Sequence, residues 1–105
     1  MVLQLLYPVN KRKGFYDVTI FQTQHYGQNK GYQQVYRLDI SGRNHQDVAD
    51  KVFKRFNVSD TMPNDYCARY VATGDIILID EGKRGQNYYK LQSGGWEKIN
   101  RIHVR

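Results

Sequence analysis

The side chains able to do chemistry are few and widely spaced. The 105-residue chain has one cysteine, Cys67, and three histidines, His25, His45 and His103. A metal site needs such residues, or carboxylates, grouped at short ligand spacings. Here each histidine lacks a partner at such a spacing, so all three read as surface or loop residues and no metal is expected. Cys67 has Arg69 two residues on, and a nearby cation lowers a thiol pKa. A lone cysteine more commonly serves as a small buried apolar residue, and that is the reading adopted for Cys67. Gly82-Lys83-Arg84-Gly85 is basic and glycine-flanked, but it joins strand to strand. A phosphate cradle needs a helix start to aim backbone N–H groups. The tetrapeptide therefore reads as a hairpin tip kept soluble by charge. Without a grouped acid, base or nucleophile, the sequence predicts a non-enzymatic protein with no cofactor.

Binding chemistry is better represented. Lys83, Arg84, Tyr88, Tyr89 and Lys90 interleave cations with aromatics, and Arg101 and Arg105 add charge near the C-terminus. Cationic grooves with aromatic stacking platforms bind single-stranded nucleic acid. Alternate residues of a strand face opposite sides, however, so Tyr88 and Tyr89 cannot serve one ligand and one belongs to the core. The candidate partner-binding set is Lys83, Arg84, Tyr88, Lys90, Arg101 and Arg105.

The formal charge of +6 suits an acidic partner: nucleic acid, anionic lipid or an acidic protein face. The charge is dispersed, with +3 over residues 1–40, +1 over 41–60 and +2 over 61–105. Dispersion favours solubility over a dedicated phosphate stripe. Nine tyrosines and four phenylalanines fit strand-rich structure. A single cysteine suits a reducing compartment. The opening Met1-Val2-Leu3-Gln4-Leu5-Leu6 is too short for a signal-peptide core, and its basic cluster, Lys11-Arg12-Lys13, follows it. No run approaches the length of a membrane helix. A cytoplasmic protein is expected.

The elements that would position these residues form one domain, residues 14–105. Residues 1–13 stand apart as a flexible or loosely docked segment, compatible with an extra strand or a partner hook. Tyr16 to Thr23 alternates as a strand, Gln24 to Gly31 is a loop, and Tyr32 to Ile40 is a second strand, giving a hairpin with a wide connection. Asn44 to Phe56 is a helix. Val48, Val52, Phe53 and Phe56 form its apolar stripe, Asn44 caps it, and Asp47–Lys51 and Asp50–Lys54 pair at i, i+4. Val58 to Arg69 is a connection, and Tyr70-Val71 pair briefly. Asp75 to Asp80 is nearly all apolar, the pattern of a central strand. Asn87 to Gln92 returns from it, and Trp96 to Ile99 and Ile102 to Val104 close the domain. The expected class is α+β: one helix on a mostly antiparallel sheet built from two hairpins.

Thr73-Gly74-Asp75 leading into Ile76-Ile77-Leu78, then Tyr88-Tyr89, then Gly95-Trp96, resembles the pattern of the YodL-like family. Val52-Phe53-Lys54-Arg55-Phe56-Asn57 followed by Met62-Pro63 is similar to its middle section. The resemblance covers about residues 16–105 and is to the stand-alone members, not to copies embedded in larger mobile-element proteins. These motifs are turn glycines, core strands and an aromatic plug, and carry no active site. The resemblance implies a sporulation-associated, non-enzymatic modulator of cell shape acting on the actin-like MreB filament. The function expected is thus a protein-binding module, with a small basic nucleic-acid-binding domain as the alternative.

Overall fold

The computed structural model describes residues 14–100. The readings of residues 1–13, of Arg101, Arg105 and His103, and of a strand at 102–104 lie outside the described residues. Five strands and one helix follow in the order β1 (Phe15–Gln22), β2 (Gln33–Ser41), helix (His45–Phe56), β3 (Ile76–Asp80), β4 (Gln86–Gln92) and β5 (Gly95–Ile99). The sheet order is β2-β1-β3-β4-β5, with every neighbouring pair antiparallel. This is the expected α+β arrangement. The first hairpin is β1–β2, and the second is extended by β5 into a three-stranded meander. The apolar strand β3 is central, and Ile76, Ile77 and Ile79 are fully buried.

The period-2 pattern of the strands assigns their faces. Val18 and Ile20 of β1 stand beside Ile79 and Ile77 of β3, and with Val48, Val52 and Phe56 of the helix they form the core. The opposite face carries Thr19, Phe21, Ile76 and Tyr88, with the Phe21 and Tyr88 rings 6.3 Å apart. The register slips once, between Ile20 and Phe21. Val35 is the extra residue on β2, which explains why the apolar positions of that strand do not alternate strictly.

The helix begins as its sequence requires. Asn44 is extended (φ −163°) and its side chain accepts from the Asp47 N–H at 2.9 Å. Asp47 ion-pairs with Lys51 at 3.6 Å. The second expected pair does not form: Asp50 accepts from Gln46 at 3.1 Å, another i, i+4 neighbour, and Lys54 has no ion-pair partner among the described residues. The buried stripe is Val48, Ala49, Val52 and Phe56. Phe53 is 37% exposed, because at about 100° per residue it lies roughly 80° from the centre of that stripe. At the far end the Val71 N–H donates to Phe56 O at 3.0 Å, and Asn57 Nδ2 donates to Val71 O at 2.8 Å. Val71 is thus tied to the helix end, and no strand forms at Tyr70-Val71. The 57–75 connection packs on the helix side, where Tyr66 stands 4.8 Å from Phe56 ring to ring.

Candidate functional site

Two polar clusters gather the residues with most chemical potential. His45 opens the helix with its ring edge-on to Tyr16 and Tyr89, at 5.5 and 5.7 Å. Its Nδ1 lies 2.7 Å from the Tyr89 hydroxyl and its Nε2 2.9 Å from Glu81 Oε1. A carboxylate, an imidazole and a hydroxyl in a row is the arrangement that activates hydroxyl nucleophiles. Here it works against ionisation of the phenol. Burial, and then the Glu81 charge, push the Tyr89 pKa above its ordinary value. With Nε2–H donating to Glu81, Nδ1 accepts from Tyr89, and the neutral tautomer satisfies both contacts. The cluster braces the helix start against the sheet. The surface reading of His45 is therefore overturned. The signal was present: His45 precedes Val48, Ala49 and Val52 by three, four and seven residues, so it lies on the buried stripe.

The second cluster surrounds Asp75, which is 1% exposed. Arg69 Nη2 lies 3.0 Å from Asp75 Oδ1. Oδ2 accepts from Arg69 Nη1 at 3.1 Å, from Gln22 Nε2 at 2.9 Å and from the Ala72 N–H at 2.9 Å. Arg69 Nη2 also donates to Thr23 Oγ1 at 3.2 Å, and Arg69 Nε is buried without a partner among the described residues. Tyr66 donates its hydroxyl to Arg69 O at 2.6 Å. Burial, and next the Asp75 charge, push the Tyr66 pKa up to about 12. The carboxylate is fully occupied by internal donors, so it acts as a post for the 57–75 connection. Cys67 is exposed, contrary to its reading as a buried residue. Its thiol faces Asp65 O at 3.7 Å, while Arg69 is committed to Asp75.

Among the described residues singled out for partner binding, Lys83 and Arg84 lie apart from Tyr88 and Lys90. Lys83 and Arg84 are exposed on a single 3-10 turn, Gly82–Arg84, between β3 and β4. That turn adjoins Asp80 and Glu81, which dilute its positive charge. Tyr88 is 8% exposed, so its ring is not free to stack on a ligand. Lys90 is half-buried, opposite Glu97 of β5. It lies four residues along β4 from Gln86, about 13 Å at strand rise.

The open surfaces flank the outer side of the helix instead. One groove of about 450 Å³ runs between the helix and the β4–β5 turn, lined by Phe53, Lys54, Leu91, Gly94, Gly95 and Trp96 among others. A second, of about 630 Å³, lies beside β2 and is lined by Phe15, Asp39, Ile40, Ser41, Lys51, Lys54, Arg55 and Thr61. Lys51, Lys54 and Arg55 share one side of the helix at i, i+3, i+4 spacing. The expected pairing of Lys51 with Asp47 forms at 3.6 Å, whereas that of Lys54 with Asp50 does not, which leaves Lys54 turned to the groove. Among the described residues no group of His, Cys, Asp or Glu could hold a metal ion, and no helix is long and apolar enough to cross a membrane.

Residues 1–101 match the family model described as YodL-like domain. The match takes in the first thirteen residues, which the sequence pattern had left outside. Over 95 residues the chain is 56% identical to a protein named "Uncharacterized protein YodL" from Bacillus subtilis (strain 168), covering 90% of this chain and 91% of that protein. No solved structure matches. The chain belongs to the YodL-like family.

Proposed function

We propose that this protein is a non-enzymatic protein-binding module whose partner is an actin-like filament of the MreB type, through which it modulates cell shape during sporulation. The observation that carries the binding reading is the groove at the β5 edge, where the 37%-exposed Phe53 stands in a lining that also contains Trp96. Aromatic anchors in a depression with a polar rim are the usual energetic centre of protein interfaces. Asp50, Lys54 and Gln92 supply that rim. The filament and the developmental setting come from the family resemblance. The non-enzymatic part is supported by the two polar clusters, in which the His45 ring and the Asp75 carboxylate are engaged by partners within the fold. The nucleic-acid alternative is less well supported, because Tyr88 is buried and Lys83 and Arg84 sit beside Asp80 and Glu81.

The test is co-sedimentation of the native protein with MreB-type filaments, using an unrelated basic domain of similar size as control. Enrichment over the control is expected, and Phe53→Ser should reduce it by about tenfold, the loss of an interface anchor. No enrichment over the control would rule out the filament as partner.

A further inference from the structure

We propose that the groove between the helix and the free edge of β2 is a docking site for an acidic polypeptide segment, which adds to the sheet there as an extended strand. The proposal rests on the protein-binding reading only in taking the partner to be a polypeptide.

The backbone supplies the first half of the argument. Among the described residues β2 is the terminal strand of the sheet, paired with β1 alone. The Gly42 N–H donates to Gly14 O at 2.9 Å, so the backbone of residue 42 faces β1. Backbone groups alternate along an antiparallel strand, so those of Ile40 and Leu38 also face β1. The N–H and C=O groups of Arg37, Asp39 and Ser41 then point outward. An outward row of this kind is what an incoming strand pairs with. Over nine residues, Gln33–Ser41, β2 is the longest strand among the described residues and is broken only by its bulge.

The side chains supply the charge. Lys51, Lys54 and Arg55 line the groove against the single carboxylate of Asp39. Lys51 gives one N–H to Ser41 O at 2.9 Å, occupying that carbonyl, and lies 3.6 Å from the Asp47 carboxylate, so the unspent charge is that of Lys54 and Arg55. Arg55 gives Nε to Thr61 O at 3.3 Å and stands 5.9 Å over the Phe56 ring, leaving its terminal amino groups without a hydrogen-bond partner among the described residues. Lys54 is likewise unpaired there. Spacing also fits. Lys54 and Arg55 stand about 4.5–6 Å along the helix axis from Lys51, while alternate residues of a strand recur about every 6.6–6.8 Å. A strand with acids at every second position therefore presents one carboxylate near Lys51 and the next near Lys54 and Arg55. The chain's own residues 1–13 carry Lys11, Arg12 and Lys13 with no acid, so their charge does not complement the groove. A nucleic acid would satisfy the cations but leave the outward N–H and C=O rows of β2 unpaired and meet Asp39, which favours the peptide.

The experiment uses the full chain and labelled probes: a peptide alternating Glu and Val, its Lys and Val counterpart, an N-methylated Glu and Val peptide, and a single-stranded oligonucleotide of similar length. By fluorescence anisotropy the acidic peptide should bind at least about tenfold more tightly than the other three, with affinity falling as salt rises. The double variant Lys54→Glu/Arg55→Glu, both positions exposed, should lose about tenfold or more in affinity with an unchanged circular dichroism spectrum, and Lys54→Arg should retain it. Amide resonances of Arg37 and Asp39 should shift on binding and gain protection from exchange. Equal binding of the N-methylated or the Lys peptide, oligonucleotide binding as tight as the acidic peptide, or amide shifts confined to other strands would overturn the proposal. Phe53 lies outside this groove. Failure of the filament test therefore leaves these outcomes intact, and absent peptide binding with intact filament binding overturns this inference alone.

Discussion

Replacing Asp75 with Asn tests the claim that one buried carboxylate fixes the 57–75 connection. The change keeps the shape and removes the charge. One oxygen becomes an NH2 group, and either placement sets donor against donor. At the Oδ2 position it would face three donors, from Gln22, Arg69 and Ala72. At the Oδ1 position it would face Arg69 Nη2, 3.0 Å from that oxygen in the native protein. The less costly placement keeps three hydrogen bonds, now to a neutral acceptor, and strands the guanidinium. Breaking a buried ion pair costs about 3–5 kcal/mol. The Arg69 side chain is 25% exposed, so water recovers part of its solvation, and the expected loss is near the lower limit, about 3 kcal/mol. In a domain of this size that lowers Tm by roughly 12–24 °C. Urea unfolding followed by circular dichroism would measure the change as a lower midpoint at unchanged slope. Arg69→Met and the double variant complete a cycle, in which the pair should show a coupling of more than about 1 kcal/mol. A loss below about 1 kcal/mol for Asp75→Asn, or additive single effects, would refute the reasoning.

Three further outcomes are expected. A Cβ on Gly42 would meet Val48 Cγ2 at 2.5 Å; Val48 is fully buried and stiff at χ1, so Gly42→Ala should cost about 1–3 kcal/mol in denaturant unfolding. Asn44→Ala removes the 2.9 Å cap to the Asp47 N–H and should cost about 1 kcal/mol, read in the same assay. Burial pushes the Tyr66 pKa up from an ordinary 10.0 to about 12, so the stability it contributes is fully present below pH 10 and is lost as pH rises through 12. Stability measured across that interval should fall in the native protein and fall less in Tyr66→Phe, with one late-titrating phenol missing from the tyrosinate absorbance.

What the sequence revealed was mostly local. The helix was readable because Asn44, Asp47 and the Val48–Val52–Phe56 spacing all act within a few residues of one another. The central place of β3 was readable because a strand covered on both sides must be apolar throughout. Tertiary competition decided the rest. Gln46 and Lys54 are both four residues from Asp50, and nothing local ranks them. Phe53 and Ala49 flank the same stripe, and the smaller residue went inside because the helix rotates to centre on Val52 and His45. The cationic strip was missed for a different reason. Lys51, Lys54 and Arg55 become a binding feature only if they lie beside a free strand edge, and strand order is not written in any short window. The basic residues of the 3-10 turn attracted notice by adjacency, which is a weaker guide than a shared helix side.

The same strip addresses a hazard of the fold. An open sheet has two edges, and each invites pairing with a second copy. The β5 edge is short, five residues from Gly95 to Ile99, and carries Glu97 and Lys98, which blunts it. The β2 edge is nine residues long, and the helix cations add a safeguard to its bulge and to the charges of Arg37 and Asp39. Two copies joined antiparallel through β2 would form one continuous sheet with both helices on the same side. Lys51, Lys54 and Arg55 of one copy would then face the same three residues of the other. Repulsion between like charges at such range opposes self-pairing. An acidic strand meets the opposite field along the same edge and gains both the backbone pairing and the charge. A single row of cations can therefore exclude the commonest wrong partner, another copy of the chain, while leaving the edge open to a right one. A specific correlation follows: the charge-neutral variant Lys54→Gln/Arg55→Gln should weaken acidic-peptide binding and also shift the chain toward dimers in sedimentation equilibrium. Loss of peptide binding with no gain in self-association would leave the edge guarded by something other than these charges.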